Sequence, residues 1–219
     1  MDSNLASPTP VHFLDGIRVV DFSQFLPGPY ATQILSDLGA SVVKIERPGG
    51  EAMRKVGPLD DNGISLFYKT LNSGKQVVEL DLKSDQGYQC FSELLANTDV
   101  LLESFRPGVL EKLDFGIQHL REAYPNLVIC SLSGYGQTGP YKYRAGHDLN
   151  YLAYSGLLHL TGTKDAPIQP QPPISDFAGA MLAVNSILAA LIGRTSSNQG
   201  SSGYQRRRIC SQLAEHGVK

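Results

Sequence analysis

Tryptophan is absent from the 219 residues, and cysteine occurs three times. The tryptophan gap carries no functional meaning. Cys90, Cys130 and Cys210 are odd in number, widely spaced and form no CxxC pair. That pattern argues against a disulfide framework and against a structural zinc site, and a reducing compartment is the simpler expectation. A basic excess is also lacking: 19 Lys and Arg stand against 21 Asp and Glu, a formal charge of −2. Too few cations remain to neutralise a nucleic-acid backbone, so nucleic acid is not expected as a partner; a small phosphorylated ligand needs only a few placed cations. Long apolar runs are missing too. The longest, residues 178–192, includes Gly179 and Asn185 and falls short of a bilayer span, so no membrane association is expected. No basic, apolar leader precedes residue 14, and a cytoplasmic protein is the expectation, or one of an organellar matrix in a eukaryote. No His, Asp or Glu spacing of the H-E-x-x-H kind occurs, so no metal is expected.

What is present is a composition that supports a core, 42% hydrophobic and 18% charged. Residues 1–13 carry Pro8 and Pro10 and are expected as a flexible leader. Strands are expected over 17–22, 41–46, 77–82, 99–103 and 127–132, with helices over 30–38 and 85–95 and one opening at Pro107. Alternation of this kind over some 130 residues (about one domain) points to an α/β fold, an open, mostly parallel sheet with helices on both faces. Ligands in such sheets sit beyond the carboxyl ends of the strands, which draws attention to the loops after Phe22, Glu46, Glu103 and Leu132. A Pro-rich stretch, residues 167–173, precedes an apolar helix over about 177–191.

Gly134-Tyr135-Gly136-Gln137-Thr138-Gly139 fits G-x-G-x-x-G after a strand. Pro140 follows, no helix opens there, and the position is the fifth strand instead of the first. A glycine-rich turn shaping a pocket wall is the better reading than a dinucleotide fingerprint. Arg47 and Arg106 both follow a strand and precede Pro-Gly, well placed for anionic oxygens, and Lys75 in Ser73-Gly74-Lys75 adds a third cation before a strand. His147 is either a structural residue or a base. Asp176, between the Pro-rich stretch and an apolar helix, is either a helix N-cap or a reactive carboxylate.

Seven motifs in order, including Leu14-Asp15-Gly16-Ile17-Arg18-Val19-Val20-Asp21, Pro27-Gly28-Pro29, Lys44-Ile45-Glu46-Arg47-Pro48-Gly49, Asn72-Ser73-Gly74-Lys75 and Phe105-Arg106-Pro107-Gly108, resemble the class III coenzyme A-transferase family. The resemblance covers about residues 14–200. Ala145-Gly146-His147-Asp148-Leu149-Asn150-Tyr151-Leu152 and Ser175-Asp176-Phe177-Ala178-Gly179 are most similar to the α-methylacyl-CoA racemase branch.

The resemblance implies a Rossmann-like large domain and an acyl-CoA substrate, with coenzyme A entering as part of that substrate and no covalently bound cofactor. It assigns His147 and Asp176 as the catalytic pair: two opposed bases in a racemase, or Asp176 as a nucleophile in a transferase. It assigns coenzyme A contacts to Arg47, Lys75, Glu79, Leu80, Asp81, Leu82 and Arg106 and, in an expected loop over 146–151, to Gly146, Asp148 and Tyr151. Racemisation of a 2-methyl-branched acyl-CoA is the first expectation, transfer of CoA to a carboxylic acid the alternative, and an inactive CoA-binding domain a third. Relatives are interlocked homodimers with a second, smaller domain. Residues 201–219 do not resemble the family, and a frame-shifted tail is the expectation there.

Overall fold

The computed structural model describes residues 12–197 and 209–211. The expected leader before residue 12 and most of the expected non-family tail lie outside them.

Strand β1 (Arg18–Phe22) is followed by α1 (Pro27–Asp37), and β2 (Ser41–Glu46) returns parallel beside β1. α1 opens on Pro27, whose fixed φ suits a first helical turn. After a short 3-10 turn, α2 (Leu66–Leu71) is capped by the Ser65 hydroxyl and leads to β3 (Gln76–Glu79). Next come α3 (Asp85–Ala96), capped by Ser84, then β4 (Val100–Glu103), α4 (Ile117–Ala123) and β5 (Val128–Leu132). The last part holds α5 (Asp148–Tyr154), a two-residue ribbon β6 (Gly162–Thr163) and β7 (Ala166–Pro167), α6 (Ile174–Ser197) and β8 (Ile209–Ser211).

The sheet order is β3-β2-β1-β4-β5-β8, and every pairing in it is parallel. Parallel strands need crossovers and a cover on each face, and alternate residues supply both covers. Val19, Val42, Val100 and Leu102 face α1 and α6, meeting Ala31, Leu35, Ala183 and Ile187. Val20, Phe22, Ile45 and Leu101 face the other way, against Phe91, Leu95, Phe115 and Leu120. The expected α/β architecture is what forms.

Three expectations need correction. No α-helix opens at Pro107: Gly108 has φ +87, which turns the chain, and the helix forms later as α4. The segment around Tyr151, expected as loop, is α5. The apolar helix starts at Ile174 and runs 24 residues, so the argument from a short apolar run fails. Over Ile174–Arg194 it is long and apolar enough to cross a bilayer by length and composition. One face of it packs into the core, where Ala180, Ala183, Val184, Ile187 and Leu191 are buried against the sheet and α1.

Candidate active site

β1 lies between β2 and β4, and the chain leaves the β1 and β4 ends in different directions. A crevice opens at such a switch point. Here it is a cavity of about 520 Å³. Its walls come from Gln24, Phe25 and Pro27 after β1, Ser104, Phe105 and Arg106 after β4, and Ser133, Gly134 and Tyr135 after β5. Ala145, Gly146, His147 and Tyr151, from the approach to α5 and α5 itself, complete it with Asp176.

Asp176 is the third residue of α6, in the first turn. It is not the cap of that helix. The capping oxygen comes from Asp148, at the start of α5, whose Oδ1 accepts from the Ser175 amide at 2.7 Å and the Asp176 amide at 3.3 Å. Burial raises the Asp176 carboxyl, the Asp148 charge adds to the rise and His147 opposes it, leaving it at about 6. Such a group is ionised at neutral pH and still more basic than an ordinary carboxylate, as a nucleophile or proton acceptor requires. His147 stands immediately before α5, its amide donating to Asn150 Oδ1 at 2.9 Å. Its ring meets the edge of Phe25 at 5.9 Å between centroids. Phe25 itself sits at φ +65, a left-handed conformation rare outside glycine and costing about 1–3 kcal/mol.

Arg106, Lys142 and Arg144 supply positive charge to the cavity. The Arg144 guanidinium lies over the Tyr141 ring at 4.4 Å and donates to the Tyr154 hydroxyl at 2.5 Å, which holds its plane. Tyr135 packs against Tyr141, Tyr151 and Tyr154. Burial, reinforced by the Asp176 charge, pushes the Tyr151 phenol up to about 12, so it stays protonated and donates to Gly146 O at 2.6 Å. Gly134 is required by that ring: a Cβ there would lie 2.2 Å from it. The glycine-rich turn therefore serves a close approach of a side chain, as a pocket wall would. Among the described residues no cluster of three or more His, Cys, Asp or Glu forms a metal site.

Residues 14–202 match CoA-transferase family III. The chain belongs to that family. The chain is also similar to relatives that it matches over part of their length. The succinyl-CoA:glutarate CoA-transferase of Mus musculus is 38% identical over 189 residues, 85% of this chain and 43% of that protein. The succinyl-CoA:mesaconate CoA-transferase of Haloarcula hispanica is 38% identical over 197 residues, 85% of this chain and 50% of that protein. The crystal structure of Rv3272 from M. tuberculosis superposes with a TM-score of 0.83 at 35% identity, covering 94% of this chain and 57% of that one. The chain spans about half the length of the curated relatives it matches.

Within this CoA-transferase family III fold, the residues singled out in the sequence fall into three groups. His147, Asp176, Arg106, Gly146 and Tyr151 line one cavity. Arg47 and the stretch from Glu79 to Leu82 lie instead at the outer edge of the sheet, beyond β2 and β3. Arg47 Nε donates to Gly50 O, and Glu79 Oε2 accepts from the Gly49 amide. Leu80 and Leu82 pack on the core that holds Phe91 and Phe115, and Asp81 accepts from the Lys83 amide.

The third group is corrected. The Lys75 side chain is wholly buried, and its ammonium donates to Asp21 Oδ2, Pro29 O, Thr32 Oγ1 and Asn72 Oδ1. It has no donor left for a phosphate. The Asp148 carboxyl is buried beneath α6 and does not face the cavity. Sequence reasoning missed Phe25, Lys142, Arg144 and the tyrosines around them. The signal was Tyr141-Lys142-Tyr143-Arg144, cations interleaved with aromatics just after a glycine turn at a strand end.

Proposed function

We propose that this protein is a CoA-transferase that moves coenzyme A from an acyl-CoA to a dicarboxylic acid, with Asp176 as nucleophile. The observation that carries the reading is the Asp176 carboxylate, raised in basicity and opening into a cavity whose other charged side chains are cations. The names of the relatives support the same choice, since those given above pair succinyl-CoA with glutarate or mesaconate. The racemase placed first on the sequence is therefore put second.

The chemistry uses one carboxylate and no external proton. An Asp176 oxygen attacks the thioester carbonyl carbon; the C–S bond breaks and CoA thiolate leaves, giving a mixed anhydride on Asp176. The thiolate then attacks the Asp176 carboxyl carbon, releasing the donor acid and leaving an aspartyl-CoA thioester. The acceptor carboxylate attacks that same carbon and expels the thiolate, forming a second anhydride. Attack of the thiolate on the acceptor's acyl carbon yields the new acyl-CoA and frees Asp176. Arg106, Lys142 and Arg144 would hold the anionic groups of the two substrates, as charge-assisted hydrogen bonding favours. Arg47 and the Glu79–Leu82 edge remain the proposed seat of the nucleotide end of coenzyme A, and a homodimer remains the proposed assembly.

The test is incubation with succinyl-CoA and glutarate. Acceptor-dependent glutaryl-CoA is expected, with one 18O from labelled glutarate found on Asp176 after a single turnover. The second reading rests on His147 and Asp176 sharing one cavity. Deuterium entering the α-carbon of a 2-methylacyl-CoA in D2O without any acceptor, and no glutaryl-CoA, would establish it instead.

A further inference from the structure

The transfer steps above leave the buried Asp148 carboxyl, next to the site, unused. Asp148 is 5% exposed, and its two oxygens are treated differently. Oδ1 accepts the Ser175 and Asp176 amides, whereas Oδ2 is enclosed and has no hydrogen-bond partner. Burying a carboxylate with half of its acceptor capacity empty is costly, and a serine or threonine at the start of α6 would cap that helix without a charge. The capping group instead comes from 27 residues away, next in sequence to His147. One side chain thus links the backbone that carries His147 to the backbone that carries Asp176.

We propose that Asp148 is a positioning residue for Asp176, fixing the first turn of α6 against the cavity and setting the field in which the Asp176 carboxylate works. This rests on the transferase reading for its consequence in turnover, but not for its structural content. The groups that face Asp176 act in opposite directions. After burial, the Asp148 charge is the main influence raising the Asp176 carboxyl, and His147 lowers it. Tyr151, on the same helix as Asp148, is a neutral phenol at working pH, and Arg106 across the cavity adds positive charge. A carboxylate at the N-terminus of a long helix would ordinarily be easy to ionise. Asp148 offsets that tendency and keeps the nucleophile basic.

Two substitutions separate position from charge. Asp148→Asn keeps the shape and an acceptor oxygen for the two amides and removes the charge. Asp148→Ala removes both. In the full chain, carboxyl 13C NMR should place the Asp176 midpoint near 6, and Asp148→Asn should move it down by at least half a pH unit. The acid limb of kcat for succinyl-CoA and glutarate should move by the same amount, with KM for succinyl-CoA unchanged. Asp148→Ala should lower kcat by roughly ten- to a hundredfold, the scale of a small misplacement of a reacting group. An unmoved Asp176 midpoint in a folded Asp148→Asn chain would overturn the proposal. So would wild-type kcat in Asp148→Ala. If Asp148→Ala does not fold, the Asn titration decides. If the wild-type chain transfers no CoA, the transferase reading falls, and the titration still decides the role of Asp148.

Discussion

At the residue scale, Asp176 shows reactivity and stability in conflict. Its carboxyl is raised to about 6 in the fold, against an ordinary value of 3.8. Between those values the folded chain holds a proton that the unfolded chain has released, so stability falls as pH rises through that window. Above it the fold carries the full cost of an ionised, half-buried carboxylate, about 1–2 kcal/mol once solvent screening is allowed for. Asp176→Asn should therefore raise the melting temperature by several degrees at pH 7.5, with the gain shrinking toward pH 4, while turnover is lost. A variant no more stable than wild type at pH 7.5 would contradict the assigned environment. His147 and Asp176 were legible as candidates because each is chemically conspicuous beside a turn signal. Their meeting in one cavity was implied by the family resemblance and not by their spacing, because it depends on Asp148 reaching across to α6. Lys75 was misread for the matching reason. A cation after Ser-Gly and before a strand resembles a phosphate ligand until Asp21, 54 positions away, is found against it.

At the element scale, that same ammonium joins three pieces of structure. Asp21 lies in β1, Pro29 and Thr32 belong to α1, and Asn72 follows α2. Burial alone would raise the Asp21 carboxyl. The charges of Lys44 and Lys75 outweigh it and, with hydroxyl donation from Ser23 and Thr32, hold it below the usual range. Removing one partner of such a pair leaves an uncompensated charge inside, so Lys75→Met should cost about 3–5 kcal/mol in urea unfolding. Coenzyme A affinity of the fraction that remains folded should be unchanged by calorimetry, whereas loss of a phosphate ligand would weaken it. β1, β2, β4 and β5 were legible because buried parallel strands are continuous β-branched runs, and β2 forms where expected, at Ser41–Glu46, whereas the strand expected over 77–82 is the exposed β3 and ends at Glu79. α5 was not, since histidine is a poor N-cap signal and the compensating bond comes from Asn150 within the helix. α6 began earlier than expected because its cap is remote.

Taken whole, the chain carries two covered sheet faces and several uncovered apolar places. Met181, Leu182 and Ile192 are exposed on α6, and Val77 and Val78 stand on β3, the edge strand of the sheet among the described residues. Leu59, Leu66 and Phe67 add another exposed group near α2. Apolar surface of this extent favours association. Sedimentation should give a weight-average mass that rises with concentration above the 23.7 kDa of one chain. A single species of that mass at all concentrations would show that these surfaces tolerate water. The cavity has a further consequence, and it is spectroscopic. With no tryptophan in the chain to accept their excitation energy, its ten tyrosines are its only strong ultraviolet emitters. Tyr135 and Tyr151 line the cavity, and Tyr141 and Tyr154 pack against Tyr135 behind it. Their edge-to-face packing makes them a chiral chromophore array, so near-ultraviolet dichroism of the unlabelled protein is weighted toward the very wall a ligand would touch.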